Sequence, residues 1–564
     1  MPSRLADPAI AAALFVAALA YFGFGLHLTF DLRDEGFFLY NTLRVARGEI
    51  PHRDFVDAYG PGTHLLNAQL FRLFGVEIMP VRLLLAAVRA SAVALSYLIA
   101  RRLAPRPFAV LAALMATAYW GRVIWNLNSP YPALYTIPLC MLALLLLLGG
   151  RSGTPGRYYL LAGFASGAAL LFKQSLAVVA AYGIVLAIVA SGMLEQSARD
   201  GRWRLPVLLA WAVAGLAVAL PFAAGLGATD YLLHFLPIHA LLLVVGVHFA
   251  RFGDATSLLA RVTPRLALYG AGLLVVPTTV AAVYATWGAL DELAFNMFWR
   301  PFQFPNYYVP VELPPFHSIA LLASVAALAT AGLLLLRGAR LAALGLAVPG
   351  ALLAAVAIRA TGSALQLGIA VDRASGVLPA LTAYAGLALL VAPLGRRSGV
   401  EPVQRTLVAV LLFQQMMVFQ IFPRAGFNYT MMLGTLTPVL AYLCFRWWQA
   451  AGVAGRARAP QRAAAFALVS LFPVSLVAYI VADAVWQPRP GELAWTAMRF
   501  PATRGIRLSP AEYRLHEVRV VEWLVDHIRA AEPADAPVFL LTNDRMLLLL
   551  SERESLFPDH TFVL

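Results

Sequence analysis

Apolar runs of about 18 to 22 residues, each long enough to cross roughly 30 Å of hydrocarbon, recur along this chain from end to end. Their spacing predicts helices near 9–30, 82–100, 108–125, 131–149, 158–173, 174–193, 206–224 and 231–250. Further helices are predicted near 265–286, 317–336, 341–358, 375–394, 406–422, 430–446 and 463–484. Between 158 and 193, and between 341 and 394, the runs follow one another closely, so the count lies at about 13 to 15. The first run follows Arg4 and contains Ala18-Leu19-Ala20, as a signal peptide would. Its apolar character continues to Phe30, which suits an uncleaved span better. The implied fold class is an all-α polytopic membrane bundle over 1–484, followed by a small C-terminal α/β domain over 485–564. In that tail a proline-rich linker (488–510) leads into an amphipathic helix near 511–531, with Val518, Val521, Leu524, Val525 and Ile528 on one side. Val538-Phe539-Leu540-Leu541 reads as a strand, Thr542-Asn543-Asp544 as a turn and 545–550 as a short helix.

Composition agrees with the bundle. Of 564 residues 61% are hydrophobic and 13% charged, against roughly a quarter charged in a soluble domain. The formal charge of +14 raises the question of nucleic acid. The arginines, however, gather in short loops between apolar runs, among them Arg101, Arg102, Arg106, Arg151, Arg157, Arg396, Arg397 and Arg405, as the positive-inside rule expects. No basic face interleaved with aromatics accompanies them, so nucleic acid is not a predicted partner. Cys140 and Cys444 both fall inside apolar runs and build no disulfide or metal framework. Placing the arginine-rich loops inside sends four segments outside: 31–81, 287–316, the hairpin 423–429 and the tail 485–564. The inner loops are too short and too uniformly basic to form a site, so function is sought outside.

The first outer loop carries the densest chemistry. Two amphipathic stretches, about 35–47 and 63–74, are each followed by a glycine, Gly48 and Gly75, suited to a helix C-cap. Asp31, Asp34 and Glu35 stand at the end of the first span, where a carboxylate is costly to desolvate. One reading is a solvated helix cap, common for Asp at a helix start. The ordered string around them carries a second reading. D-x-x-D-E-G is followed by a basic helix, then G-E-I-P-H-R-D-F, G-P-G and F-R-L-F-G, with Arg82 opening the next span. This string, over 31–90, closely resembles the GT-C glycosyltransferases, in particular the bacterial branch similar to protein O-mannosyltransferases and lipid A aminoarabinose transferases.

The resemblance implies a GT-C-like fold and transfer of a sugar from a polyprenyl-phosphate carrier, in the bacterial cytoplasmic (inner) membrane, with the site and C-terminal domain extracytoplasmic. It puts the catalytic acid–base role on Asp34, with Glu35 beside it and Asp54 as a second acidic position; Asp57 is a further candidate there. Such a donor has a good leaving group, so the chemistry needs a carboxylate to take the acceptor hydroxyl proton, worth about 10²–10⁴-fold. Attack opposite the phosphate inverts the anomeric centre. Cations must stabilise the departing phosphate.

One residue stands out for that second task. Among 43 Lys+Arg residues Lys173 is the sole lysine, set in GFASGAALLFKQSLAVV near the outer end of a span. A snorkelling lysine at a membrane boundary explains it as structure. A point-charge ligand for the carrier phosphate explains it as function, and GT-C relatives resemble this segment too. Arg82 and Arg53 are further candidates for the phosphate. Tyr59, His64, Arg300, Asn306 and Arg424 are candidate substrate contacts. Residues 287–316 are rich in aromatics, which fits an interfacial belt or a flap over the donor. Asp291 and Glu292 are polar candidates there. The hairpin IFPRAGFNY resembles a family turn but has Gly426 and Asn428 or Tyr429 where an acid and a histidine are found, which leaves a contact for Arg424 and none for histidine. Asp372-Arg373 reads as a structural ion pair.

The clustered acids admit a divalent metal, but their spacing demands none, and no other cofactor is predicted. The acceptor is an envelope glycan, lipid or protein. A polytopic transporter or lipid flippase is the alternative; it predicts paired repeats and ionisable residues at mid-bilayer, whereas the acids here gather at one face. A membrane scaffold leaves Asp34, Glu35 and Lys173 unexplained. No glycine-rich nucleotide loop appears on the inner side.

Overall fold

The computed structural model describes residues 6–27, 31, 34–121, 128–150, 155–195, 204–219, 231–300, 348–349, 351–352, 378–395, 400–419, 428–452, 496–497, 499–504, 506–508, 515–531, 533, 536–538 and 545–555. The predicted spans 317–336 and 463–484, most of 341–358, and the candidates Asn306, Asp372, Arg373 and Arg424 lie outside these residues.

Helices dominate what is described. In chain order they are α1 (Ala6–Phe24), α2 (Asp34–Ala46), α3 (Gly62–Phe74), α4 (Ile78–Ala100), α5 (Arg106–Gly121), α6 (Pro132–Gly149), α7 (Pro155–Leu170), α8 (Gln174–Leu194) and α9 (Arg204–Ala219). There follow α10 (Leu236–Phe252), preceded by a π turn at Tyr231–Phe235, then α11 (Ala255–Thr286), α12 (Leu290–Ala294), α13 (Leu378–Leu394), α14 (Pro402–Val418) and α15 (Asn428–Gly452). The C-terminal segment adds β1 (Thr496–Ala497) paired antiparallel with β2 (Arg507–Leu508), then α16 (Leu515–Ala531) and α17 (Met546–Ser551). Among the described residues six helices are long and apolar enough to cross a bilayer: Ala6–Gly23, Ile78–Ala100, Pro132–Gly149, Gln174–Leu194, Tyr231–Phe252 and Ala255–Thr286. The chain is a multi-pass, all-α membrane bundle, as its apolar pattern implies.

Two boundaries differ from the sequence reading for visible reasons. The first helix stops at Phe24 rather than running to 30, because the chain unwinds through Gly23 and Gly25. The carbonyls freed there are taken at once: Arg82 Nη1 donates to Leu26 O at 2.6 Å and Asn128 Nδ2 to Gly25 O at 3.2 Å. At its other end α11 begins ten residues earlier than the predicted 265, since Asp254 caps it, accepting from the backbone of Thr256 and Ser257 at 3.2 and 3.1 Å. The crowded stretch 158–193 resolves into two helices, α7 and α8, joined by a turn at 171–173.

Among the described residues the ion pairs gather at the two ends of the bundle, while Arg89, midway along α4, donates to Trp120 O and lies over the Phe22 ring. At one end Asp7 pairs with Arg101 and Arg106, and Glu195 pairs with Arg265 and Arg405. At the opposite end lie the first loop, the turn that carries Lys173 and the segment after α11. Helix α7, which leads into that turn, packs backbone to backbone on α11. A Cβ on Gly163 would fall 2.0 Å from Tyr269 O, and one on Gly272 would fall 2.0 Å from Leu160 O. Small residues at such crossings let helices approach closely in lipid, and this one fixes the height of Lys173 in the bundle.

Both predicted amphipathic stretches of the first loop are helices, α2 and α3, and Gly48 and Gly75 follow them with φ of 104° and 86°. The C-terminal segment lies against this loop. Leu39, Leu43 and Phe71 share one apolar core with Phe500, Val525 and Leu549. That contact puts the tail and the first loop at the same end of the bundle.

Candidate active site

The acidic string at the start of α2 divides three carboxylates among three tasks. Asp31 is the cap: its carboxylate accepts from the backbone N–H of Asp34 at 3.3 Å and from the Ser129 hydroxyl at 3.3 Å. Glu35 faces α4 and meets Arg82 in a two-pronged pair, Nε to Oε1 and Nη2 to Oε2, both 2.7 Å. Both side chains are 1% exposed. Asp34, half-buried, turns the third way and accepts a hydrogen bond from the Tyr131 hydroxyl. Tyr131 sits directly before Pro132, which opens α6. The helix period separates Asp34 from Glu35: adjacent residues on a helix point about 100° apart.

Beyond Asp34 an aromatic wall leads to Lys173. One helical turn along α2, the Phe38 ring lies 5.4 Å from Tyr131 and 6.0 Å from Tyr59, centroid to centroid. Over the Tyr59 ring stands the Lys173 ammonium, 5.9 Å from the centroid. Among the described residues no carboxylate pairs with Lys173. Burial alone lowers its pKa from 10.5 to about 8.

The turn that presents Lys173 is locked to the first loop by backbone. Gly60 N donates to Phe172 O at 3.2 Å and Gly62 N to Leu171 O at 2.8 Å. The approach is so close that a Cβ on Gly60 would lie 2.2 Å from Leu171 O, so the G-P-G turn of the sequence string is a docking surface for the lysine turn. Gln174 adds a clasp from its side-chain amide, donating to Ala58 O at 2.7 Å and to Met297 O at 2.9 Å. The segment after α11 thereby joins the same site. Its aromatics Phe295, Phe298 and Trp299 are exposed, and Arg300 donates to Asn296 Oδ1 at 3.2 Å.

Several candidates have other work in this arrangement. The Arg82 guanidinium, expected at the phosphate, is matched to Glu35 and Leu26 O; Glu35, expected beside the base, is matched to Arg82. Asp54 closes the loop, accepting from Ile50 N at 2.7 Å and pairing with Arg53 at 2.8 Å. Arg53 holds the Asp54 carboxyl below the usual carboxylate range. His64, expected at substrate, is enclosed: its Nε2 lies 2.5 Å from Asp57 Oδ2, and Asp57 also accepts from Tyr59 N at 3.0 Å. This buried pair shapes the loop that carries Tyr59. His52, in the same loop, has a φ of 70°, and burial pushes its pKa down to about 4. Among the described residues no three His, Cys, Asp or Glu side chains stand together as a metal site.

Tyr131, Ser129 and Gln174 are residues that sequence reasoning missed. Tyr131 and Ser129 lie in an N-S-P-Y-P turn at the same end of the bundle as the first loop, a position that could have flagged them. Gln174 follows the lone lysine, which could have marked it too.

Comparison with known proteins bears on the same stretch. Residues 59–224 match the family model described as dolichyl-phosphate-mannose-protein mannosyltransferase. The matched stretch takes in the G-P-G turn, Arg82 and Lys173, and it agrees with the resemblance to GT-C glycosyltransferases carried by 31–90. No curated protein sequence matches the chain. Among solved structures, the archaeal oligosaccharyltransferase AglB from Archaeoglobus fulgidus, in complex with an inhibitory peptide and a dolichol-phosphate, aligns at 14% identity with a TM-score of 0.44, over 98% of this chain and 65% of its own. ArnT from Cupriavidus metallidurans, bound to undecaprenyl phosphate, aligns at 14% identity with a TM-score of 0.36, over 96% of this chain and 85% of its own. The chain spans under two thirds of the length of the archaeal enzyme, 65% in that alignment.

Removing one member of a buried ion pair strands the other, at a cost of about 3–5 kcal/mol. Glu35→Ala is therefore expected to lower the melting temperature of the purified protein sharply, and Glu35→Leu combined with Arg82→Met to recover most of it. A Glu35→Ala protein that melts with the parent would show that the pair does not hold α2.

Proposed function

We propose that this protein transfers a hexose or pentose from a polyprenyl-phosphate carrier to a hydroxyl of an envelope glycan, lipid or protein, at the extracytoplasmic face of the inner membrane. The observation that carries the reading is the layout of Asp34 and Lys173. A half-buried carboxylate and an ammonium that no carboxylate meets among the described residues flank one aromatic wall, Tyr131–Phe38–Tyr59, at one end of the bundle.

Asp34 is the base. It removes the acceptor hydroxyl proton as the oxygen attacks the anomeric carbon, the bond from that carbon to the phosphate oxygen breaks, and the products are the inverted glycoside and the polyprenyl phosphate. The Tyr131 hydroxyl, donating to Asp34, keeps the carboxylate oriented as it takes the proton. Lys173 meets the phosphate, whose negative charge grows as the bond breaks, and a cation fixed beforehand in a low-dielectric site is worth most at that moment. The aromatic wall offers flat apolar faces for the sugar ring and the first prenyl unit. The family match supports the donor class, since the model that covers Lys173 describes enzymes using a lipid-phosphate sugar.

Two outcomes follow. Asp34→Asn is expected to lower transfer by about 10²–10⁴-fold, read as the loss of product in mass spectra of envelope glycans and glycolipids, with the melting temperature kept; full product would remove Asp34 from the base role. The second concerns pH. A lysine whose pKa is lowered from 10.5 to about 8 is charged below that value and loses its proton as pH rises through it. Affinity for undecaprenyl phosphate should hold level from pH 6 to 7 and then fall by about tenfold per unit well above 8. Lys173→Arg should abolish that alkaline limb, because a guanidinium keeps its proton there. A limb that persists in Lys173→Arg would exclude Lys173 as its source.

A further inference from the structure

We infer that the C-terminal segment completes the acid-bearing helix, with Arg545 acting as a positioning residue for Asp34. The inference rests on the reading of Asp34 as the base.

At 3.6 residues per turn, positions three and seven apart share a stripe of a helix, so Asp34, Phe37 and Asn41 line one side of α2. Arg545 lies along that stripe. Its guanidinium carbon stands 4.7 Å over the centre of the Phe37 ring, and its Nη1 donates to Asn41 Oδ1 at 3.2 Å. Arg545 is 7% exposed and Asn41 fully buried. Desolvating a guanidinium is costly, so a cation brought to this place from the far end of the chain implies a task there.

The flanking contacts grip the same helix. Ser555 N donates to the Tyr40 hydroxyl at 2.7 Å. The backbone of Met546 presses so closely on Gly36, two residues from Asp34, that a Cβ there would lie 2.5 Å from Met546 N. The stripe that carries Phe38 and Thr42 is left to Tyr131, Tyr59 and His64. Helix α2 is therefore clamped between the aromatic wall and the C-terminal segment, and loosening the clamp lets Asp34 drift. A module that only captured acceptor would not need a buried cation on the helix that bears the acid.

The test uses the full chain, expressed in a deletion strain and also purified. Arg545→Met is expected to cut envelope product by about 10²-fold, the scale of an ångström-level misplacement, with undecaprenyl phosphate affinity and melting temperature as in the parent. Arg545→Lys, which keeps a cation over Phe37, should restore most of the product. Independently of activity, the thiol introduced by Asp34→Cys should react with a membrane-impermeant maleimide at a clearly different rate once Arg545→Met is added. Unchanged product overturns the inference, as does product loss with an unchanged labelling rate, which would assign Arg545 to acceptor capture. A collapse of melting temperature in both Arg545 variants also overturns it, making Arg545 a folding residue. Full product from Asp34→Asn, measured alongside, would fail the reading of the base and not the clamp.

Discussion

A carboxylate buried at the mouth of a membrane bundle is costly unless a cation neutralises it from within. Here Arg82 does that for Glu35, and the rest of the site depends on it. Fastened by two hydrogen bonds to α4 and capped by Asp31, α2 has one rotational setting about its axis. In that setting Asp34 meets Tyr131, Phe38 meets Tyr59 and Asn41 meets Arg545. Turned by a single residue so that Asp34 took the place of Glu35 against α4, the helix would carry Glu35 round to the side where Gly36 now meets Met546.

The second constraint is the contact between the G-P-G turn and the turn at 171–173. The lysine stands at the head of α8, more than a hundred residues from the loop it serves, and backbone hydrogen bonds from Gly60 and Gly62 close the gap. The loop side of that contact is held by pairs of its own, Asp57 with His64 in the interior and Arg53 with Asp54 at the surface. Residues that carry charge in this loop thus divide into those that build it and those that face outward from it.

Much of the bundle was legible in the sequence because a spanning helix advertises itself by length and apolarity. The caps were legible in part: Gly48 and Gly75 were marked, while the unwinding after Phe24 was hidden inside an unbroken apolar run. Of the proposed site, Asp34 and Lys173 stood out by type and place, and the G-P-G turn by its motif. What sequence could not supply was pairing. Arg82 and Glu35 looked like two active-site candidates because nothing in one dimension shows that they neutralise each other across 47 positions. His64 looked free for the same reason. Arg545 was invisible for a different one, since one arginine among nine in the C-terminal segment gives no sign of the helix it will cover.

The account stands on Asp34 and Lys173 serving a single site, and a cryo-EM structure of the protein with undecaprenyl phosphate in a lipid nanodisc tests this directly. The phosphate is expected within hydrogen-bonding distance of Lys173 Nζ, about 2.7–3.2 Å, with its free side open toward Asp34 along the Tyr59–Phe38 wall. A phosphate seated away from Lys173, or one screened from Asp34 by intervening protein, would contradict the account.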